Sequence, residues 1–337
     1  MKARLIYNPT SGKELMKKHL ADVLNELENM GYETSAFATT AEENSAKNEA
    51  KRAALAGFDL LVAAGGDGTI NEVVNGIAPL ENRPKMAIIP AGTTNDFARA
   101  LKIPRTTPLE AIKIVGKNQT VKMDVGLASK DKYFINIAAG GGLTELTFEV
   151  PSELKTTFGY LAYIAKGAEM LPRIKPINMR IRYDDEVYEG STSMFFVGLT
   201  NSVGGFEQYA PNARLDDGYF SLLIVKNANL IEIMRLITLM MNDGKHIEDK
   251  KVIYAKAKEI EVESLDGERL MINLDGDYGG DAPVTLQALA QHIEFYVNLD
   301  EISDDALLGY DVSDDEFDEA AVRFVAQYKS YNKEKEE

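Results

Sequence analysis

Over the first ninety residues, short apolar runs alternate with longer stretches whose apolar residues recur at helical spacing, and this alternation dictates a layered α/β architecture. RLIYN (4–8), TSAFA (34–38), DLLVAA (59–64) and KMAIIP (85–90) read as strands. Between the first two, ELMKKHLADVLNELENM (14–30) sets Leu15, Leu20, Val23, Leu24 and Leu27 on one helical face, and 41–56 and 70–78 read as further helices. Strand and helix in turn require a parallel sheet covered on both faces. From about Thr120 the pattern changes. TVKMDVGLA, KYFINIAA, INMRIRYDD, EVYEGSTSMFFVGLT, YFSLLIVK, EIEVES and RLMINLDGD follow, several parted by turn signals such as DG or DD. They predict a mostly antiparallel β domain, interrupted by helices near 153–171 and 229–242. Two domains suit 337 residues, a length at which one core has stopped growing. The divisions fall at 1–120 and 121–298, with 299–337 as an acidic C-terminal segment.

Several classes are excluded. No run reaches the eighteen apolar residues that span a bilayer, since even LIEIMRLITLMM (230–241) carries Glu232 and Arg235. The start, MKARLIYNPTSGK, shows no secretory signal, which leads to the expectation of a cytoplasmic protein. Cysteine is absent, so disulfides and thiolate metal sites are ruled out. A net charge of −16 argues against a nucleic-acid partner, which calls for a basic footprint. Residues 300–320 hold ten acids and no Lys or Arg, the composition of a solvated tail. Behind them FDEAAVRFVAQYKSY (317–331) has the spacing of a docking helix. His19, His246 and His292 lack ligand spacing and are read as surface or core residues.

The strand DLLVAA runs straight into GGDGT (65–69). In an open α/β sheet, ligands bind beyond the carboxyl ends of the strands, which is where this pentapeptide falls. Glycine removes the Cβ and permits positive φ, so backbone N–H groups can cradle an anion at the start of the next helix. A bare GxG is equally an ordinary strand-to-helix turn. Here NPTSGK (8–13) follows the first strand and PAGTTNDFA (90–98) the fourth, so three Gly/Thr/Asn loops share one edge. A phosphate cradle accounts for all three. Asp67 is electrostatically wrong in such a cradle on its own, because unit charges about 4 Å apart repel by roughly 4 kcal/mol at an effective dielectric near 20. It calls for a cation, and hard oxygen ligands beside phosphate point to Mg2+. The chain has neither a Walker loop nor a GxGxxG dinucleotide fingerprint.

GGDGT after an apolar strand, NPTSG near the start, PAGTTNDFAR downstream, LDDGYF at 215–220 and LDGDYGG at 274–280 stand in a specific order. With these five blocks the sequence resembles the diacylglycerol kinase catalytic domain family, from Lys2 to about residue 300, and within it the soluble bacterial members. GGDGT alone is shared with NAD kinases; the set is specific. The resemblance implies a nucleotide-binding α/β domain, a β-sandwich lipid-substrate domain, and transfer of the ATP γ-phosphate to a lipid hydroxyl between them, giving phosphatidate from diacylglycerol. It implies ATP contacts at Asn8, Pro9, Thr10, Ser11, Gly12, Thr39, Gly66, Asp67, Gly68, Thr69, Ile70, Asn71, Glu72 and Thr93, with Asp275 shaping the nucleotide site. It implies Mg2+ held by Asp217 with the carbonyls of Arg214 and Tyr219, although by residues alone LDDGYF is a hairpin turn, a geometry that Asp-Gly favours.

The family places its catalytic glutamate in DGE, whereas this chain reads Asp275-Gly276-Asp277. Aspartate keeps the carboxylate and shortens its reach by one methylene. Two readings stay open: Asp277 is the base, acting within about 2.6–3.2 Å directly or through one water, or the chain is a nucleotide-binding regulator that has lost catalysis. NAD kinase and kinase of another lipid alcohol are the alternatives within enzymes. A lipid substrate implies transient contact with the inner face of a membrane. PRIKPINMRIR (172–182), basic without an acid, is the candidate contact for anionic headgroups, with a solvated face of the β domain as the alternative. The stripe of FGYLAYIAKGAEML (158–171) reads as core. A homodimer is compatible with all of this.

Overall fold

The computed structural model describes residues 1–92, 95–129, 131–142, 175–201, 210, 212–241, 244–302 and 306–307. The chain opens with β1 (Lys2–Tyr7), α1 (Leu15–Asn29), β2 (Glu33–Ala38), α2 (Ser45–Leu55), β3 (Leu60–Gly65), α3 (Asp67–Ile77), β4 (Lys85–Pro90), α4 (Asp96–Ala100) and α5 (Pro108–Gly116). Its strands lie parallel in the order β2-β1-β3-β4. Every residue of β3 is buried, as a central strand covered on both faces must be. The step from β1 to β2 crosses the sheet one way, and the steps to β3 and β4 cross it the other way. Right-handed crossovers therefore set α1 on one face and α2 with α3 on the other. Accordingly α1 packs against α5, and α2 against α3. The reversal makes the carboxyl ends of β1 and β3 the switch point at which a crevice opens.

Local chemistry explains two differences from the sequence reading. Helix α3 begins at Asp67 rather than at residue 70, because extended Gly66 takes the N-cap position and Asp67 meets the positive end of the helix dipole. Helix α5 went unread, although Thr107 caps it by accepting the Glu110 N–H at 3.2 Å and Pro108 occupies its first turn.

The second half is mostly antiparallel: β5 (Thr120–Ala128), β6 (Lys132–Phe134), β7 (Ile137–Gly141), β8 (Ile177–Tyr183), β9 (Glu186–Gly198), β10 (Phe220–Lys226), α6 (Leu230–Met241), β11 (Val252–Ala257), β12 (Glu259–Ser264), β13 (Met271–Leu274), β14 (Asp277–Asp281) and β15 (Val284–Tyr296). All fifteen described strands join one sheet whose main path runs β14-β13-β7-β9-β8-β12-β15-β4-β3-β1-β2. The link is the ribbon of β15 and β5. Near Gln291, at φ +49°, β15 breaks register between Leu289 and Ile293, and Phe295 beyond the break lies parallel to Met86 of β4. Before the break, Val284 and Leu286 belong to the core of the antiparallel layer; after it, Ile293 and Phe295 belong to the core of the parallel one.

The strand anticipated over KYFINIAA splits into β6 and β7, for a reason found at the site below. The helices anticipated near 153–171 and at 317–331, and nearly all the acidic segment, lie outside the described residues. The described part of that segment packs back: Ile302 and Leu307 are buried in the first core, and the Leu215 N–H donates to the Ala306 carbonyl at 2.9 Å. No helix among the described residues is long and apolar enough to cross a membrane.

Candidate active site

Three loops meet at the switch point. The Asn8 N–H donates to the Ala64 carbonyl and the Ala91 N–H to the Gly65 carbonyl, at 2.9 and 2.8 Å, so the chains leaving β1, β3 and β4 stay in register past the strand ends. Thr39 joins this edge through its N–H to the Tyr7 carbonyl at 2.9 Å. The glycines are demanded by close approach. A Cβ on Gly12, which sits at φ +53°, would run into the Ala91 carbonyl oxygen, and one on Gly92 would stand 2.6 Å from the Gly66 Cα. Asn95 ties the third loop: its side chain bonds both the N–H and the carbonyl of Gly92, at 2.9 and 2.8 Å, while its own N–H donates to Asp67 Oδ2 at 3.0 Å. Asn8 Oδ1 accepts from the N–H and hydroxyl of Thr10 at 3.0 and 2.9 Å, shaping the first loop. Asn8, Pro9, Ser11, Gly66, Asp67 and Thr69 are half-buried at this edge, and Thr10, Gly12 and Gly68 are exposed. Thr93 lies outside the described residues.

Three residues of the α3 segment make bonds or contacts within the frame. Ile70 is wholly buried in the core, and its N–H donates to the Gly66 carbonyl. Glu72 Oε2 accepts the Ala46 N–H at 2.9 Å, supplying the start of α2 with the cap that Asn44 does not provide. Asn71 donates from Nδ2 to Asp275 Oδ2 at 2.8 Å.

That bond belongs to a lock. Asp275 and Gly276, at φ +52° and +100°, form the two-residue turn between β13 and β14, with positive φ at both positions as a type I′ hairpin requires. Asp275 Oδ2 also accepts the Ile135 N–H, and Oδ1 accepts those of Asn136 and Ile137, all within 2.8–2.9 Å. These bonds split β6 from β7, because the N–H groups turn away from strand pairing toward the carboxylate. Asp275 as a residue is half-buried, and its carboxyl is surrounded by these four donors. Burial pushes the carboxyl up to about 6 against the pull of its four donors. Two residues on, Asp277 opens β14 as an exposed residue. The hairpin carrying it is thus seated on α3, whose first residue is Asp67. Asp67 and Asn71 share one side of that helix.

The loop 214–219 lies against the break in β15, where Gln291 Nε2 donates to the Asp216 carbonyl at 3.3 Å. Asp217 accepts the Tyr219 N–H at 3.0 Å and pairs with Lys256 Nζ at 3.2 Å. Buried Asp124 of β5 accepts the Gly218 N–H at 2.6 Å and that of Gln291 at 2.7 Å, pinning the loop to the break. Burial pushes Asp124 up to about 6, and Asp217 and Asp216 push the same way. A hard cation relieves such crowding, and one carboxylate with main-chain carbonyls is a donor set Mg2+ accepts when water completes it. The loop therefore fits the group, with Lys256 competing for Asp217. Among the described residues no three His, Asp or Glu side chains gather into a cage.

Residues 2–128 match the diacylglycerol kinase catalytic domain, and 141–297 the YegS C-terminal NAD kinase beta sandwich-like domain. The chain is 53% identical over 292 residues to a Bacillus subtilis protein named diacylglycerol kinase, covering 87% of this chain and 95% of that one. A Staphylococcus epidermidis protein of the same name is 49% identical over 313 residues, covering 93% and 97%. The chain belongs to the diacylglycerol kinase family. A solved structure of a diacylglycerol kinase from Bacillus anthracis superposes with a TM-score of 0.66 at 28% identity, covering 88% of this chain and 97% of that one. Membership of a kinase family carries the use of ATP.

For a member of this family, sequence reading missed Asn95, Asp124 and Asn75, a residue whose bonds are described below. Only Asp124 carried a local signal, as a lone acid inside the apolar strand TVKMDVGLA. The basic stretch gains less support. Arg180 pairs with Glu189 and Glu263, and Arg182 with Glu261, so neighbouring strands neutralise both. Residues 172–174 lie outside the description.

Proposed function

We propose that this diacylglycerol kinase family member transfers the γ-phosphate of ATP to the hydroxyl of diacylglycerol, giving phosphatidate and ADP, with Mg2+. The observation that carries the proposal is the seating of the Asp277 hairpin on α3, the helix that starts inside the glycine loop. An exposed carboxylate and an anion-holding loop edge at a helix start are two parts that serve phosphoryl transfer, since positioning and charge stabilisation dominate its catalysis. In this reading the loops at 8–12, 66–69 and 91–95 hold the phosphates. The lipid hydroxyl gives its proton to Asp277 as its oxygen bonds the γ-phosphorus and the bond to the β,γ-bridging oxygen breaks, releasing ADP. Bound Mg2+ would offset the phosphate charge beside Asp67, and Asp217 with the Arg214 and Tyr219 carbonyls would hold a further ion. The names of the relatives support diacylglycerol as the alcohol. Such a substrate resides in a bilayer, so the enzyme visits the inner membrane face transiently from the cytoplasm.

The test supplies γ-labelled ATP with diacylglycerol micelles, phosphatidylglycerol, sphingosine or NAD in parallel. Label is expected in phosphatidate, abolished by a chelator and restored by Mg2+. Label in NADP, or transfer to none of the four, contradicts the proposal.

A further inference from the structure

Asn75, one turn beyond Asn71 on α3, makes an unusually directional set of hydrogen bonds. Its Oδ1 accepts the Tyr133 N–H at 2.9 Å, and its Nδ2 lies 2.8 Å from the Tyr133 carbonyl and 2.9 Å from both Asn71 Oδ1 and the Asn71 carbonyl. Asn71 presents Nδ2 to Asp275 Oδ2 at 2.8 Å and to the Tyr133 carbonyl at 3.2 Å. An amide side chain can turn end for end, exchanging donor and acceptor, but a backbone N–H cannot. The Tyr133 N–H therefore fixes the direction of Asn75, Asn75 together with the Tyr133 carbonyl fixes that of Asn71, and Asn71 offers a donor rather than an acceptor to the carboxylate that locks the catalytic hairpin. If Asn71 turned over, its oxygen would face Asp275 and the lock would lose a donor and gain a repulsion. Both asparagines are half-buried, where an acceptor facing an acceptor is costly.

We infer that Asn75 is a positioning residue for phosphoryl transfer: through Asn71 and Asp275 it sets the place of the Asp277 carboxylate, without touching either substrate. The inference rests on the reading of Asp277 as base and goes beyond it by assigning the residue that orients the support.

Asn75→Asp and Asn75→Ala test it, each in the wild-type and Asp277→Asn backgrounds, by single-turnover rate and ATP affinity at a temperature where all variants are folded. Aspartate keeps the acceptor for the Tyr133 N–H but faces Asn71 Oδ1 and the Tyr133 and Asn71 carbonyls with an oxygen, which presses Asn71 toward turning over; alanine merely removes the guide. Asn75→Ala should slow transfer about tenfold and Asn75→Asp roughly 10²-fold, the scale at which a displaced catalytic group costs rate. ATP affinity should stay within about twofold, and in the Asp277→Asn background neither change should slow transfer further. A purely structural asparagine predicts a loss of the same size in both backgrounds, since it does not act through Asp277. An Asn75→Asp rate equal to wild type, or an undiminished loss in the Asp277→Asn background, overturns the inference. If Asn75→Asp does not fold, Asn75→Ala across the two backgrounds decides alone. A wild-type rate for Asp277→Asn itself rejects the base reading and this inference with it, whereas an impaired Asp277→Asn beside a harmless Asn75→Asp rejects only the inference.

Discussion

Asp275 carries opposite consequences for stability and for activity. Its carboxyl is raised from the ordinary 3.8 to about 6, so between these values the folded protein binds a proton that the unfolded chain does not. Its contribution to stability is therefore full below about 3.8 and is lost as pH rises through about 6. The ionised form, however, is the one with room for all four donors, because a proton on either oxygen displaces an N–H already pointing there. Activity should consequently fall as pH drops through about 6, while this group's share of stability rises. Carboxyl carbon NMR should give Asp275 a midpoint near 6, matching the acid limb of the kcat profile; a midpoint below 4 would mean that the donors outweigh burial and would remove Asp275 as the source of that limb. Asp67 stood out in the sequence by its own chemical anomaly, a carboxylate inside a glycine loop, whereas Asp217 and Asp277 stood out only through the family's motifs. The roles of Asn95 and Asp124 were not legible, because the groups they tie into the site, Asp67 and Gly218, lie 28 and 94 positions away in the chain, although Asp124 is marked as a lone acid in an apolar strand.

At the scale of elements, the strands before the three loops were readable because each is a short apolar run closed by Gly, Pro or Asn. Helix α5 was not, since Leu109, Ala111, Ile112, Ile114 and Val115 leave it almost no polar face to reveal a period. Strand β15 escaped because the break near Gln291 interrupts its alternation and hands it from one core to the other. The start of α3 permits a clean test of the glycine loop. A Cβ on Gly68 meets nothing within 4 Å, and the residue lies in the first turn of a helix at ordinary φ. Gly68→Ala should leave the melting temperature unchanged or raise it, since alanine is about 0.5–1 kcal/mol the better helix former. If the loop cradles phosphate, the added methyl occupies ligand space and ATP affinity should drop about tenfold or more. Unchanged affinity by calorimetry would remove Gly68 from the nucleotide site.

For the molecule as a whole, the β5–β15 ribbon makes one sheet of a parallel and an antiparallel half, and the lock at Asp275 fastens the far hairpin back onto the first half. Sequence grammar located the change of architecture near Thr120 but could not foresee that strand 284–296 would return to seal the parallel sheet. That closure depends on one pairing of residues more than two hundred positions apart, Phe295 with Met86. Under the proposed function, it lets a carboxylate from residue 277 work on a phosphate held by residues 8–95. The central claim is that Asp277, shorter than the family's glutamate, takes the proton of the lipid hydroxyl. The most direct measurement is the single-turnover rate of phosphatidate formation, with ATP affinity measured alongside, for wild type, Asp277→Asn and Asp277→Glu. The account predicts a fall of about 10²–10⁴ for asparagine with ATP affinity nearly unchanged, and activity retained or raised for glutamate. Transfer by Asp277→Asn at the wild-type rate would contradict it.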